Sequence, residues 1–279
     1  MRFRRGARLD ASQVSDRRGM SPVALGGGGI VSVIALVIYL LGGGGGEEGG
    51  PGPINLGQGG AELAAQCQTG EDANQRDDCR IVAVVNSVQA YWTESSDGYQ
   101  QAKTVFFTDA TNTGCGNATS AVGPFYCPLD RTIYIDLGFY EQLRTRFGAK
   151  GGPFAEAYVI AHEYGHHVQN LIGVLDRSRD GRTGPGSSAV KVELMADCLA
   201  GMWAQGALET GFIEELTDDD IRDGLDAAAA VGDDRIQEKV QGRVDPEAWT
   251  HGSAEERQAA FKSGYAAGSL QDCNPFAGT

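Results

Sequence analysis

Basic side chains are scarce: 23 lysines and arginines stand against 37 aspartates and glutamates in 279 residues, a formal net charge of -14. Nucleic-acid phosphates are bound by clustered Lys and Arg, so a chain this acidic is not expected to have a nucleic-acid partner. Histidine is scarcer, at four residues, and sulfur is confined to six cysteines and four methionines. No two cysteines form a C-x-x-C pair, which argues against a structural zinc ribbon. No internal repeat is present beyond one matched cysteine spacing.

Glycine, by contrast, is abundant at 41 residues, about twice ordinary usage. Fifteen of these fall between positions 26 and 60, around an uncharged stretch of 19 residues from Val23 to Leu41. At about 1.5 Å per helical residue this stretch just spans a bilayer core. Arg2, Arg4, Arg5, Arg8, Arg17 and Arg18 precede it against only Asp10 and Asp16, a local balance of +4, which leaves -18 for the rest. No Ala-x-Ala site follows, so an uncleaved anchor fits better than a signal peptide. The arginines before it, and Glu47 and Glu48 after it, orient the N-terminus to the cytoplasm. The expected organisation is a basic cytoplasmic N-terminus (1–22), a single-pass transmembrane signal anchor (23–41) contacting the lipid bilayer, a Gly-rich flexible linker (42–60) and an extracytoplasmic folded domain (61–279).

The cysteines agree with an exported domain, where disulfides persist. Cys67 and Cys79 have the same separation as Cys115 and Cys127, so each local pair is expected to join, leaving Cys198 with Cys273 by elimination. Helices are predicted over Asn74–Trp92, from Pro153 to Gly173, over Ser187–Gln205, from Thr217 to Gly232, and from the capping box Ser253-Ala-Glu-Glu256 to about Gly268. TVFFT (104–108) and TIYID (132–136) read as short strands, with a turn-rich loop over Gly114–Asp130 between them. The expected class is helix-dominated α+β with a small β-sheet.

Three of the four histidines occupy one turn, Ala161-His162-Glu163-Tyr164-Gly165-His166-His167. On a helix, positions four apart share a face, so His162 and His166 can present two imidazoles to one metal ion with Glu163 beside them. Zinc takes about four tetrahedral ligands, one being water at a catalytic site, and an adjacent glutamate can act as that water's general base. The metzincin extension is absent, since its glycine and third histidine would fall at Gln169 and Ile172. The third ligand is expected from Val192-Glu193-Leu194-Met195-Ala196-Asp197: Glu193 as ligand, and Asp197, on the same face, accepting a ligand histidine's free N–H. His167 points off the ligand face and is expected to be structural. His251, just before the last predicted helix, is a candidate donor to the oxyanion of a tetrahedral intermediate, with Tyr134 and Tyr126 as competing donors.

HEYGHHVQ (162–169), ELMADC (193–198), GPFYCP (123–128), GDDRIQ (232–237) and THGS (250–253), together with the glycine-rich anchor, resemble a bacterial neutral zinc metallopeptidase family over nearly the whole chain. The resemblance implies a zincin-like domain with His162, His166 and Glu193 on one Zn2+ per chain and Glu163 as base. The Glu193-x-x-x-Asp197 spacing is also similar to the gluzincin clan, whose late histidine before the last helix matches His251. The expected function is a membrane-anchored zinc endopeptidase acting on peptide or protein substrates. A zinc hydrolase of a non-peptide cell-wall substrate and a non-catalytic surface binding protein are the alternatives.

Overall fold

The computed structural model describes residues 1–19 and 59–277. Its strands are β1 (Arg2–Phe3), β2 (Val14–Asp16), β3 (Lys103–Phe107), β4 (Ala110–Thr113), β5 (Gly116–Thr119), β6 (Phe125–Cys127), β7 (Thr132–Asp136) and β8 (Ile213–Glu215). Strands β2, β3, β7 and β6 form a four-stranded sheet in that order. The first three run parallel and β6 is antiparallel to β7. One sheet face carries Phe106, Ile133 and Ile135 into the main core; the other places Val105, Phe107 and Tyr134 under the β4–β5 hairpin. Burial on both faces is why β7 is apolar without a clean alternation. β1 and β8 make a separate antiparallel pair.

The helices are α1 (Gly59–Gln66), α2 (Gly70–Gln75), α3 (Asp77–Ser95), α4 (Phe139–Thr145), α5 (Pro153–Leu171), α6 (Ser188–Gly206), α7 (Asp218–Ala230), α8 (Asp233–Gln241) and α9 (Ala254–Tyr265). Helix α5 starts at Pro153, whose missing N–H costs nothing in a first turn. It is buried nearly all round because α3, α6 and α7 pack against it. Ser187 caps α6 by accepting from the Val190 N–H, and the capping boxes Thr217/Asp220 and Ser253/Glu256 open α7 and α9. The class is therefore helix-dominated α+β with small sheets. Cys67–Cys79, Cys115–Cys127 and Cys198–Cys273 pair as their spacing predicts.

The structure changes several expectations. The expected anchor (23–41) and most of the expected linker lie outside the described residues, and among those described no helix is long and apolar enough to cross a membrane. Residues 1–19, expected to stand apart from the domain, supply β1 and β2 to its sheets. The helix expected from Asn74 breaks at Arg76, which is extended between α2 and α3. The supposed loop over Gly114–Asp130 holds β5 and β6. The segment after Gly232 continues as α8, an element the sequence reading did not contain.

Candidate metal centre

Helices α5 and α6 lie against each other at Gly165, where an added Cβ would sit 3.0 Å from the backbone of Ala196. That close approach brings the HEYGH turn onto the ELMAD turn. His162 Nε2 lies 3.2 Å from Glu193 Oε2, and His166 Nε2 lies 3.6 Å from Glu193 Oε1. Ligand atoms of the three residues all fall within 4.8 Å of one another. Tetrahedral ligands at about 2.0–2.2 Å from zinc stand about 3.3 Å apart, so the donor set and its spacing fit that ion. The other such cluster among the described residues, Cys67, Asp78 and Cys79, is closed by a disulfide.

Both imidazoles are held from behind, with Nε2 left toward the centre. His162 Nδ1 donates to Asp197 Oδ1 at 2.8 Å. Asp197 is fully buried and also accepts from the Tyr158 hydroxyl, from Arg257 Nε at 2.8 Å and from Arg257 Nη2 at 3.0 Å. His166 Nδ1 donates to Gln169 Oε1 at 2.9 Å, and Gln169 Nε2 donates in turn to the Val192 carbonyl. Such supports fix the tautomer and ring orientation of a ligating histidine. Burial opposes charge on Asp197, but Arg257 and His162 hold its carboxyl down to about 2. Burial likewise opposes charge on His162, yet Asp197 and Glu193 hold it up to about 10. Burial works against Glu193 too, and His166 and His162 keep it ionised well below the usual carboxylate range.

Glu163 sits beside the three donors in a cleft walled by Val122, Phe139, Phe147, Val159 and Ile236. Burial pushes its carboxyl above the ordinary range, against the pull of His166 and His162. His251 lines the same cleft. Its Nδ1 lies 3.2 Å from Asp233 Oδ1, and Asp233 Oδ2 accepts the backbone N–H groups of Thr250, His251 and Gly252. Burial lowers the His251 pKa, but Asp233 and Glu193 together outweigh it and the shift is upward. The competing tyrosines are engaged elsewhere. Tyr134 donates to Asp130 Oδ2 at 2.7 Å, while the Tyr126 hydroxyl lies 3.0 Å from His167 Nδ1 and accepts from Asn170. His167 is fully buried and its Nε2 donates to the Gln100 carbonyl, which suits a structural histidine.

Four residues of the centre escaped the sequence reading: Tyr158, Gln169, Asp233 and Arg257. Tyr158 and Gln169 flank the histidine turn at helical spacing, a signal that was available. Asp233 and Arg257 come from α8 and α9 and meet the centre only through tertiary packing.

Residues 1–276 match the family described as "putative neutral zinc metallopeptidase". The chain is 52% identical over 219 residues to the uncharacterized protein Rv2575 of Mycobacterium tuberculosis, covering 76% of this chain and 75% of that one. It is 46% identical over 188 residues to the uncharacterized protein YpfJ of Escherichia coli K12, covering 64% of this chain and 62% of that one. No solved structure matches. With the match running over nearly its full length and two helices presenting a His/His/Glu donor set, the chain belongs to this zinc metallopeptidase family.

Proposed function

We propose that the protein is a zincin-like, zinc-dependent endopeptidase, with one zinc per chain held by His162, His166 and Glu193. The observation that carries this reading is the convergence of the three donors within 4.8 Å, with a buried carboxylate at the next position, Glu163. A zinc ion there would polarise a scissile carbonyl and acidify a water. Glu163 takes the proton of the attacking water and delivers it to the leaving amine, a transfer favoured by a carboxyl whose pKa burial has raised. His251, held by Asp233, donates to the developing oxyanion.

A substrate strand needs a free sheet edge. TIYID is β7, paired on both sides, so it offers no free edge. β6 is the edge of the sheet, and its Phe125 and Tyr126 line the cleft. An extended peptide adding to β6 would run past Glu163 and set a side chain against the apolar wall. Peptides with an apolar residue beside the scissile bond are therefore the expected substrates. Three disulfides support placing the domain in an oxidising compartment.

The test is metal analysis of the purified chain combined with cleavage of a peptide library. Glu163→Gln should keep zinc and lose cleavage, and Glu193→Ala should lose zinc. Cleavage of cell-wall amides but no peptide would move the activity to the non-peptide class. Absence of stoichiometric zinc would refute the enzyme reading.

A further inference from the structure

Groups from beyond the apolar run hold residues 1–19, and they are specific. Asn74 brackets Phe3, its amide donating to the Phe3 carbonyl and accepting the Phe3 N–H, both at 2.9 Å. Asn86 does the same to Asp10 at 2.8 and 3.0 Å, from a site on α3 that is 2% exposed. The backbone of Arg4 passes over Gly70 so closely that a Cβ there would lie 2.1 Å from the Arg4 carbonyl oxygen. Phe3 and Val14 are buried in the main core, and β2 pairs with β3 over its whole length.

Three of the N-terminal arginines, which on sequence alone mark a cytoplasmic flank, are also engaged in this body. Arg2 pairs with Glu214 and Glu215, Arg5 with Glu71, and Arg18 with Asp16 and Asp78. The family match, too, begins at residue 1, ahead of the apolar run.

Paired strands lie about 4.8 Å apart, whereas a bilayer's hydrocarbon core is about 30 Å thick. One crossing by Val23–Leu41 would separate residues 1–19 from the strands and helices that hold them. We propose that residues 1–19 and 59–277 form a single catalytic body on one side of the membrane. The chain is then not single-pass. A cut within 42–58 would leave residues 1–19 docked on the catalytic body.

The test uses thiol labelling. All six cysteines are in disulfides, so one introduced cysteine is a unique reporter. Gly6→Cys reports on the N-terminal segment, where a Cβ meets nothing within 4 Å, and Glu94→Cys reports on exposed α3. Each full-length variant is treated with a membrane-impermeant maleimide in right-side-out vesicles, before and after permeabilisation. The proposal expects the two sites to label alike. Labelling of Glu94→Cys in sealed vesicles with Gly6→Cys reactive only after permeabilisation would overturn it. If both react only after permeabilisation, the shared side stands and the exported placement proposed above falls. A site-specific protease sequence introduced into 42–58 gives a second readout. After cleavage the fragment bearing residues 1–19 should co-elute with the catalytic body under native conditions, and its separation would also overturn the proposal.

Discussion

At the residue scale, the centre sets opposite pH demands on its two kinds of group. Glu163 works as a base only when ionised, and burial raises its pKa. A zinc ion beside it would pull the other way, so the expectation is one of direction: kcat/KM rises as pH increases through the Glu163 titration, and a kcat/KM that falls over the acid range would be inconsistent. Glu163→Gln should reduce kcat by about 10²–10⁴-fold at unchanged zinc content, the usual worth of a positioned general base. His162 must be neutral to ligate, yet its carboxylate neighbours hold its pKa up to about 10. Zinc uptake therefore expels a proton from His162, and from His166 wherever that ring is also protonated, so affinity should strengthen by at least about tenfold per pH unit over pH 6–8 in a chelator competition. His162, His166, Glu193 and Asp197 were legible because spacing by four is local geometry on a helix. Arg257 was not, since nothing near Ala254–Tyr265 in the sequence announces that its guanidinium pairs with an aspartate 60 positions earlier.

At the scale of elements, the centre depends on how closely α5, α6 and α9 approach. Gly264 on α9 faces α6 so tightly that a Cβ would lie 1.8 Å from the Cys198 carbonyl oxygen, one position from Asp197. Gly264→Ala should force the helices apart and destabilise the fold by about 1–3 kcal/mol or more. It should also weaken zinc binding, because the Arg257–Asp197–His162 chain spans that contact. Thermal unfolding and zinc titration of the same variant check both effects; lost stability with unchanged affinity would mean that the chain does not transmit the shift. Long elements with apolar periodicity or caps, such as α5, α6 and α9, could be placed from sequence. β1, β2 and β8 are two or three residues long and carry no periodicity to detect. Helix α3 is buried on a second face for a reason equally remote in sequence. Its second face, with Val82, Asn86 and Gln89, is buried partly by the N-terminal segment, whose docking depends on distant residues.

At the scale of the whole molecule, composition located the glycine excess and the cysteine pairs, while the carboxylate partners of Arg2, Arg5 and Arg18 come into place only with the fold. The longest covalent constraint, Cys198–Cys273, ties α6 next to Asp197 to the chain after α9 across 75 positions. Loop-closure entropy for a ring of that size gives about 4 kcal/mol of stabilisation, more than a short local bridge supplies. The double variant Cys198→Ser/Cys273→Ser should lose about that much in urea unfolding, and Tm should fall by roughly 8–16 °C for a chain of this size. The loss would act on the unfolded chain, so zinc affinity of the folded variant should stay within a few-fold of the parent. A large loss of affinity with little change in Tm would instead make this bridge a local brace for the metal centre.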